Sequence, residues 1–440
     1  MKLVVLAGGR GTRMGDLARD LPKPMIPIAG KPILEHQLAI AKRHGIRDVV
    51  LLTGHMAEAI EHHFGDGSRL GLNITYSREE QPLGTAGAMK AIESHLTEDF
   101  LVFYGDTLFD LDLDALIAHH RAKKAIATLV VHPNDHPHDS DLVEVDGDDR
   151  ITVMHRKPHP RDVYRRNLVS AALYVMSPKV LQSVTPDISS DFGRDIFPQL
   201  AREQAAIYAW NTPEYIKDVG TPHRLKEVER DLINGKVARM NRRHARPAIF
   251  LDRDGVINED HPDMVRTPDD FHLLPGVAEA VKKINKSDYV AVLVTNQPMI
   301  AKGFASEADL DAIHAKLDTL LGERGAYLDR IYYCPHHPEA GFEGERIELK
   351  IECDCRKPKA GMLTRAAKEM NIDLSRSAIV GDRSVDIEAG RRAGVRTVLV
   401  RTGQAGGDGK INVQPDDVAD DLAQAVDLIL SSAVSSTGAR

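Results

Sequence analysis

Short apolar runs recur along this chain at Leu3–Leu6, Val49–Thr53, Leu101–Tyr104, Ala248–Leu251, Ala291–Thr295 and Ala378–Val380, each bounded by Gly, Pro or Asp. Between them lie amphipathic stretches such as Pro32–Arg43, Ala86–Leu96, Leu310–Leu321 and Lys359–Met370. Strands apolar along their whole length are buried on both faces, and helices that cross over them give an α/β architecture with a largely parallel sheet. At 440 residues the chain exceeds one module, so two doubly wound domains are expected. Apolar periodicity stops in the stretch NGKVARMNRRHARP, residues 234–247, and the run AIFLD then starts afresh. The expected division is a domain over 1–235, a linker over 236–246 with Arg242, Arg243 and Arg246 as a solvated tether, a domain over 247–432, and a disordered tail over 433–440.

Charge narrows the partners. With 57 Lys+Arg against 65 Asp+Glu the net charge is -8, which argues against nucleic acid held by charge alone. There is no apolar run of about 18 residues to span a membrane, and the opening MKLVVLAGGRGTR has only five consecutive apolar residues, Leu3 to Ala7, too few for a signal peptide. Three cysteines in so long a chain suit a reducing compartment, so a cytoplasmic protein is expected. The chain admits a homo-oligomer.

In the first half, LAGGRGTRMG follows the first apolar run, and its glycines let backbone N–H groups approach an anion while Arg10 and Arg13 add charge. Met14 stands where a dinucleotide fingerprint needs its third glycine, and the Gly-Lys-Ser/Thr of a P-loop is absent. A triphosphate cradle fits better, with Lys23 as a second cation. The stretch EEQPLGTAGAMKA, residues 79–91, has small residues and amides suited to a flat base. Asp106 and Asp218 each follow an apolar run, where parallel strands gather ligands. Either aspartate alone reads as a turn residue; together they suit Mg²⁺.

LAGGRGTRM, PKPMIPIAGKPILEH, EEQPLGTAGA, GDTLF and DVGTP stand in the order found in sugar-1-phosphate nucleotidylyltransferases, and the resemblance covers about residues 1–232. It is closest to the guanylyl-transferring branch acting on mannose or D-glycero-D-manno-heptose 1-phosphate. The resemblance implies a Rossmann-like (GT-A-like) domain in which Gly8, Gly9, Gly11, Thr12 and Arg13 hold the phosphates and Lys23 contacts the reacting ones. It further implies Gln81 and Gly84 on the base, Lys157 on the sugar phosphate, and Asp106 with Asp218 on Mg²⁺. The family's Glu-Lys-Pro is Arg156-Lys157-Pro158 here, and its Asn-Ala-Gly is Ser170-Ala171-Ala172, both on the sugar side of the site.

In the second half, AIFLDRDGVIN places Asp252 and Asp254 two apart, so at an extended strand end they would share a face. One carboxylate can attack phosphorus while the other moves the proton. VLVTNQ, CRKPKAGM and SAIVGDRSVD follow, supplying Thr295, Lys357, Asp382 and Asp386. This order resembles the haloacid dehalogenase (HAD) superfamily of phosphatases over about residues 247–432. The resemblance implies Asp252 as nucleophile, Asp254 as general acid and base, Thr295 and Lys357 on the phosphoryl group, and Mg²⁺ on Asp252, Asp382 and the carbonyl of Asp254.

All three cysteines fall within the 22 positions from 334 to 355. Cys334, His336, Cys353 and Cys355 form a Cys₃His set suited to a closed, structural Zn²⁺ that staples a long loop; His337 competes with His336. YYCPHHP and CDCRKPKAGM narrow the resemblance to heptose 1,7-bisphosphate phosphatases and the related histidinol-phosphatases, which implies substrate contacts at Asp260, Asn296, Arg356 and Arg383. The family's Thr-Asn-Gln-Ser-Gly is TNQPM here. Such a phosphatase would release the 1-phosphate that the first half consumes. The expected partners are therefore sugar phosphates and a nucleoside triphosphate, GTP foremost, with Mg²⁺ in both halves and Zn²⁺ in the second. The competing expectation is a mannose-1-phosphate guanylyltransferase joined to another phosphatase, and a sugar-nucleotide sensor without turnover is the other alternative.

Overall fold

A computed structural model describes residues 1–9, 21–79, 81–160 and 162–437. The chain divides into two compact units: Met1–His132, Asp141–Lys157 and Leu168–Asn241 form the first, and Pro133–Ser140, Pro158–Asn167 and Arg242–Arg440 the second. The division is not the single cut read from the sequence, because two short segments of the first half belong to the second unit. Within that unit Arg166 Nε donates to Asp318 Oδ2 at 2.8 Å, and the Arg165 backbone N–H donates to Thr319 Oγ1 at 2.9 Å. No local pattern announces such pairings.

The first unit is built on a nine-stranded sheet. Four strands run parallel in the order Asn73–Arg78, Asp48–Thr53, Leu3–Leu6, Phe100–Tyr104. The rest is mixed, which corrects the largely parallel expectation: Val169–Met176 pairs antiparallel with Phe100–Tyr104 and with Ala127–His132. Leu142–Val145 and Ile151–His155 form an antiparallel pair across a connection too short for a crossover. Leu3, Val4 and Val5 are fully buried, as continuous apolar runs in central strands require.

The second unit has a six-stranded, wholly parallel sheet ordered Arg330–Cys334, Val290–Asn296, Ala248–Leu251, Ala378–Gly381, Arg396–Val400, Asp417–Ala419. In both units the chain's first strand lies between the second and fourth of the parallel set. Strand order reverses there, opening a crevice at the carboxyl ends. The helix expected from Leu310 spans Glu307–Gly322, because Ser306 and Asp309 close a capping box one turn earlier.

Two further expectations change. The stretch 236–246 is no solvated tether: Lys236–Arg239 is helical, Asn241 Nδ2 donates to Asp110 Oδ1 at 2.7 Å, and Arg246 is buried with Nε on the Asp288 carbonyl at 3.2 Å. Its polar groups find fixed acceptors, so it is ordered. The tail expected over 433–440 is helical as far as Thr437, continuing Leu422–Thr437, since extending a formed helix costs far less than nucleating one. Among the described residues no helix is long and apolar enough to cross a membrane.

Candidate active sites

In the first unit a cleft opens at the switch point. Gly8 and Gly9, just past the Leu3–Leu6 strand, form one wall with Leu6 and Ala7, and Gly105 with Asp106, just past Phe100–Tyr104, faces them. Lys23, almost wholly buried, reaches the cleft and sets its Nζ 2.6 Å from Asp106 Oδ2. Gly84 also lines the cleft; its φ is +71° and an added Cβ would meet the Ser190 carbonyl oxygen at 2.4 Å, so only glycine fits.

The two predicted aspartates of this half are brought together by backbone pairing. Tyr215–Asp218 runs antiparallel to Thr107–Asp110 with Asp218 opposite Thr107, and the Val219 N–H donates to the Asp106 carbonyl at 2.8 Å. Both Asp218 oxygens accept from Arg224 Nη1, at 2.7 and 2.8 Å. With side chains about a third exposed, 35% for Asp106 and 36% for Asp218, both carboxylates are reachable by a hydrated cation. Gln81 and Lys157 are exposed and do not line the cleft. Gly11, Thr12 and Arg13, with Arg10, lie outside the described residues.

Sequence reasoning missed two carboxylates that do line the cleft, Glu79 and Asp191. Glu79 Oε1 accepts from the Leu83 N–H at 3.1 Å, and burial pushes its carboxyl up. Asp191 accepts from Thr85 Oγ1 at 2.7 Å and from the Gly193 and Arg194 N–H groups at 3.0 and 3.1 Å. The Ser-Asp pair at 190–191, a cap signal, could have found it.

In the second unit the Ala248–Leu251 strand stops one residue before Asp252, so the shared-face argument from extended geometry does not hold. Each carboxylate is aimed by its own partners instead. Asp252 Oδ1 lies 2.8 Å from Lys357 Nζ, which also approaches Asp386 Oδ1 at 2.7 Å and donates to the Val294 carbonyl at 2.8 Å. Two ion pairs and one hydrogen bond thus hold this buried ammonium, and although burial opposes it, the two carboxylates push the Lys357 pKa up.

Asp252, Asp382 and Asp386 offer carboxylate oxygens within 4.8 Å of one another, all buried. Burial, and then Asp386, pushes Asp252 up to about 6 against the pull of Lys357. Asp382, fully buried, is pushed up to about 8 by burial and by the charges of Asp252 and Asp386. The Gln404 N–H donates to its Oδ2 at 2.8 Å, while Oδ1 has no hydrogen-bond partner among the described residues. Three clustered carboxylates, two of them on one lysine and one with an orphaned oxygen, form an oxygen-donor site that fits a divalent cation. Asp386, four residues past Asp382, was read only as a further carboxylate.

Asp254 turns away from this group. Arg253, fully buried, donates Nη2 to both Asp254 oxygens at 2.9 and 3.0 Å, Asn258 Nδ2 donates at 3.0 Å, and so does Gln297 Nε2. Burial raises Asp254, but Arg253 and these bonds hold it below the usual carboxylate range. Asn296, expected on substrate, exchanges two 3.0 Å hydrogen bonds with the Lys357 backbone. Arg383 and Asp260 pair with each other, at 2.9 and 3.1 Å, and Arg356 donates to the His336 carbonyl at 3.2 Å.

Cys334, His336, Cys353 and Cys355 come together as one group, with sulfur and Nδ1 atoms 3.2 to 3.7 Å apart. Zn–S bonds of about 2.3 Å put tetrahedral ligand atoms about 3.8 Å apart, so the set is close to the size that zinc demands. His337 points elsewhere, to the Glu339 carbonyl at 3.3 Å.

A glycine turn facing paired aspartates, and strand-end aspartates around a buried lysine, define a protein with two separate centres for phosphoryl chemistry. The sequence profile of the Nucleotidyl transferase family matches residues 2–235, and that of the HAD-hydrolase-like family matches residues 354–425. D-glycero-beta-D-manno-heptose-1,7-bisphosphate 7-phosphatase of Haemophilus ducreyi is 48% identical over 160 residues, 36% of this chain and 85% of that protein. UTP--glucose-1-phosphate uridylyltransferase of Synechocystis sp. is 33% identical over 234 residues, 50% of this chain and 60% of that protein. The crystal structure of HddC from Yersinia pseudotuberculosis complexed with GMP-PN is similar at 24% identity and a TM-score of 0.46, covering 52% of this chain and 99% of that one. The chain belongs to the nucleotidyl transferase family through its first half and, through its second, to the HAD phosphatase family that includes the Haemophilus ducreyi enzyme.

Proposed function

We propose that the chain catalyses two consecutive steps of nucleotide-activated heptose synthesis. The second unit removes the 7-phosphate of D-glycero-D-manno-heptose 1,7-bisphosphate; the first transfers GMP from GTP to the resulting 1-phosphate and releases pyrophosphate. One observation carries this reading: a nucleotidyl transferase half shares a chain with a half 48% identical to a heptose bisphosphate 7-phosphatase, whose product is a sugar 1-phosphate. The reading places the enzyme in the cytoplasm, where nucleoside triphosphates are available and thiols stay reduced.

In the phosphatase step an Asp252 oxygen attacks phosphorus, the bond to the sugar oxygen breaks, and Asp254 passes a proton to that oxygen. Because Arg253, Asn258 and Gln297 hold Asp254 as a carboxylate, that proton arrives with the phosphate monoester. Asp254 then takes a proton from water as the water oxygen attacks the phosphoryl-aspartate, freeing phosphate and Asp252. Lys357 keeps Asp252 in place. Mg²⁺ held by Asp252, Asp382 and Asp386 would neutralise the phosphoryl oxygens. In the first unit Lys23 and the backbone at Gly8 and Gly9 hold phosphates, Gly84 faces the base, Gln81 and Lys157 would turn in to the base and the sugar phosphate once these are bound, and Asp106 with Asp218 would hold Mg²⁺. The Cys₃His set would hold Zn²⁺ with no open position, a structural role.

A second reading, uridylyl transfer to glucose 1-phosphate by the first half, is favoured by the Synechocystis relative. Incubating the full chain with heptose 1,7-bisphosphate and each NTP separately, with products weighed by mass spectrometry, tests both. GDP-heptose is expected; UDP-glucose from glucose 1-phosphate without any NDP-heptose would overturn the proposal.

A further inference from the structure

Gln297, only 2% exposed, follows Thr295 and Asn296 at the carboxyl end of the Val290–Asn296 strand. Its Nε2 donates to two acceptors, Thr295 Oγ1 at 2.9 Å and Asp254 Oδ2 at 3.0 Å. An amide nitrogen carries two hydrogens, so both are committed. A carboxylate can only accept, which fixes Nε2, not Oε1, on the side of Asp254. Thr295 then receives a hydrogen bond at its oxygen, and its own hydroxyl proton must point away from Gln297. Among the described residues no protein acceptor takes that proton.

We infer that Gln297 is a positioning residue for the phosphatase step. It turns the Thr295 hydroxyl outward as a donor to a phosphoryl oxygen, and with the same amide it locks the Asp254 carboxylate that moves the proton. The inference rests on the phosphatase reading given above. It goes further by placing two functions, phosphoryl binding through Thr295 and proton handling through Asp254, under one buried side chain.

Gln297→Glu keeps the shape but replaces two donated hydrogens by an acceptor. Thr295 would then donate inward and Asp254 would face a second carboxylate. Gln297→Met removes the donors without adding charge. The full chain and both variants are assayed for phosphate release from heptose 1,7-bisphosphate and from p-nitrophenyl phosphate, whose leaving group needs no proton. Gln297→Glu is expected to lower kcat/KM on the sugar bisphosphate about 100-fold, the lower end for losing one preorganised donor, and Gln297→Met about 10-fold, the worth of one ordinary hydrogen bond. On p-nitrophenyl phosphate the kcat loss shrinks because protonation of the leaving oxygen by Asp254 is no longer needed and only its role toward water in the second step remains, while the rise in KM carried by Thr295 persists. Combined with Thr295→Val, either variant adds little further rise in KM. Wild-type kinetics in Gln297→Glu, or equal losses on both substrates in step with a lowered melting temperature, would overturn the inference. If the wild-type chain releases no phosphate from either ester, the phosphatase reading itself fails instead.

Discussion

Asp382→Asn gives the sharpest test of the electrostatics in the second unit. The folded chain pushes Asp382 from 3.8 up to about 8. An unfolded chain releases this proton near the ordinary value, so between the two the native state binds more protons and stability falls as pH rises. At about 1.4 kcal/mol per pH unit, the buried carboxylate costs about 2 kcal/mol at about pH 5 and about 6 kcal/mol above pH 8. Asparagine keeps an acceptor for the Gln404 N–H and carries no charge. Without Mg²⁺, and with Zn²⁺ retained, the variant should be more stable than the wild type by those amounts, a difference of about 4 kcal/mol between about pH 5 and pH 8.5. Pulse proteolysis in urea, with second-unit fragments located by mass, measures this. Adding Mg²⁺ should stabilise the wild type and not the variant. Equal gains at both pH values, or an unchanged Mg²⁺ response in the variant, would refute the reasoning.

Three further outcomes follow from the geometry. Stripping Zn²⁺ with a thiol-selective chelator should release the loop between Cys334 and Cys355, seen as faster amide exchange there, with Asp252 and Lys357 chemically intact. Ala172 holds a φ of +55°, where an L side chain costs about 1 to 2 kcal/mol; Ala172→Gly should stabilise the first unit by about 0.5 to 1 kcal/mol after glycine's unfolded-state entropy is subtracted. The only tryptophan, Trp210, belongs to that unit and reports its unfolding by fluorescence. Asp106→Asn should abolish pyrophosphate release while phosphate release from the bisphosphate stays at the wild-type rate.

Strand ends were legible because burial on two faces leaves a mark that needs no partner to read: Leu3–Leu6 and Ala248–Leu251 are apolar throughout, and the candidate sites start within two residues of each. The Cys₃His cluster was legible for a different reason, since all three cysteines of the chain fall in it. What escaped notice depends on contacts between distant segments. Gln297 gains its interest from Asp254, 43 residues earlier, and Glu79 from the fold that swings it beside Gly8. The segment containing Arg165 and Arg166 reads as a polar loop until Asp318 and Thr319 are beside it. The Leu142–Val145 and Ile151–His155 pair broke the parallel expectation because a five-residue connection, Asp146 to Arg150, leaves room only for a turn.

The two crevices share a position in the strand order, yet differ in what stands just past the first strand. In the second unit it is Asp252, and on the proposed function the attacking oxygen belongs to the protein. In the first it is Ala7 and Gly8, which bring no reactive atom, and a Cβ on Gly8 would lie 3.0 Å from Glu79 Oε2. On the same proposal a bare backbone there leaves the role of attacker to whatever small molecule is bound, giving covalent relay in one unit and direct transfer between two guests in the other. On that reading the chain is itself consumed and regenerated only where a carboxylate stands at the end of the strand.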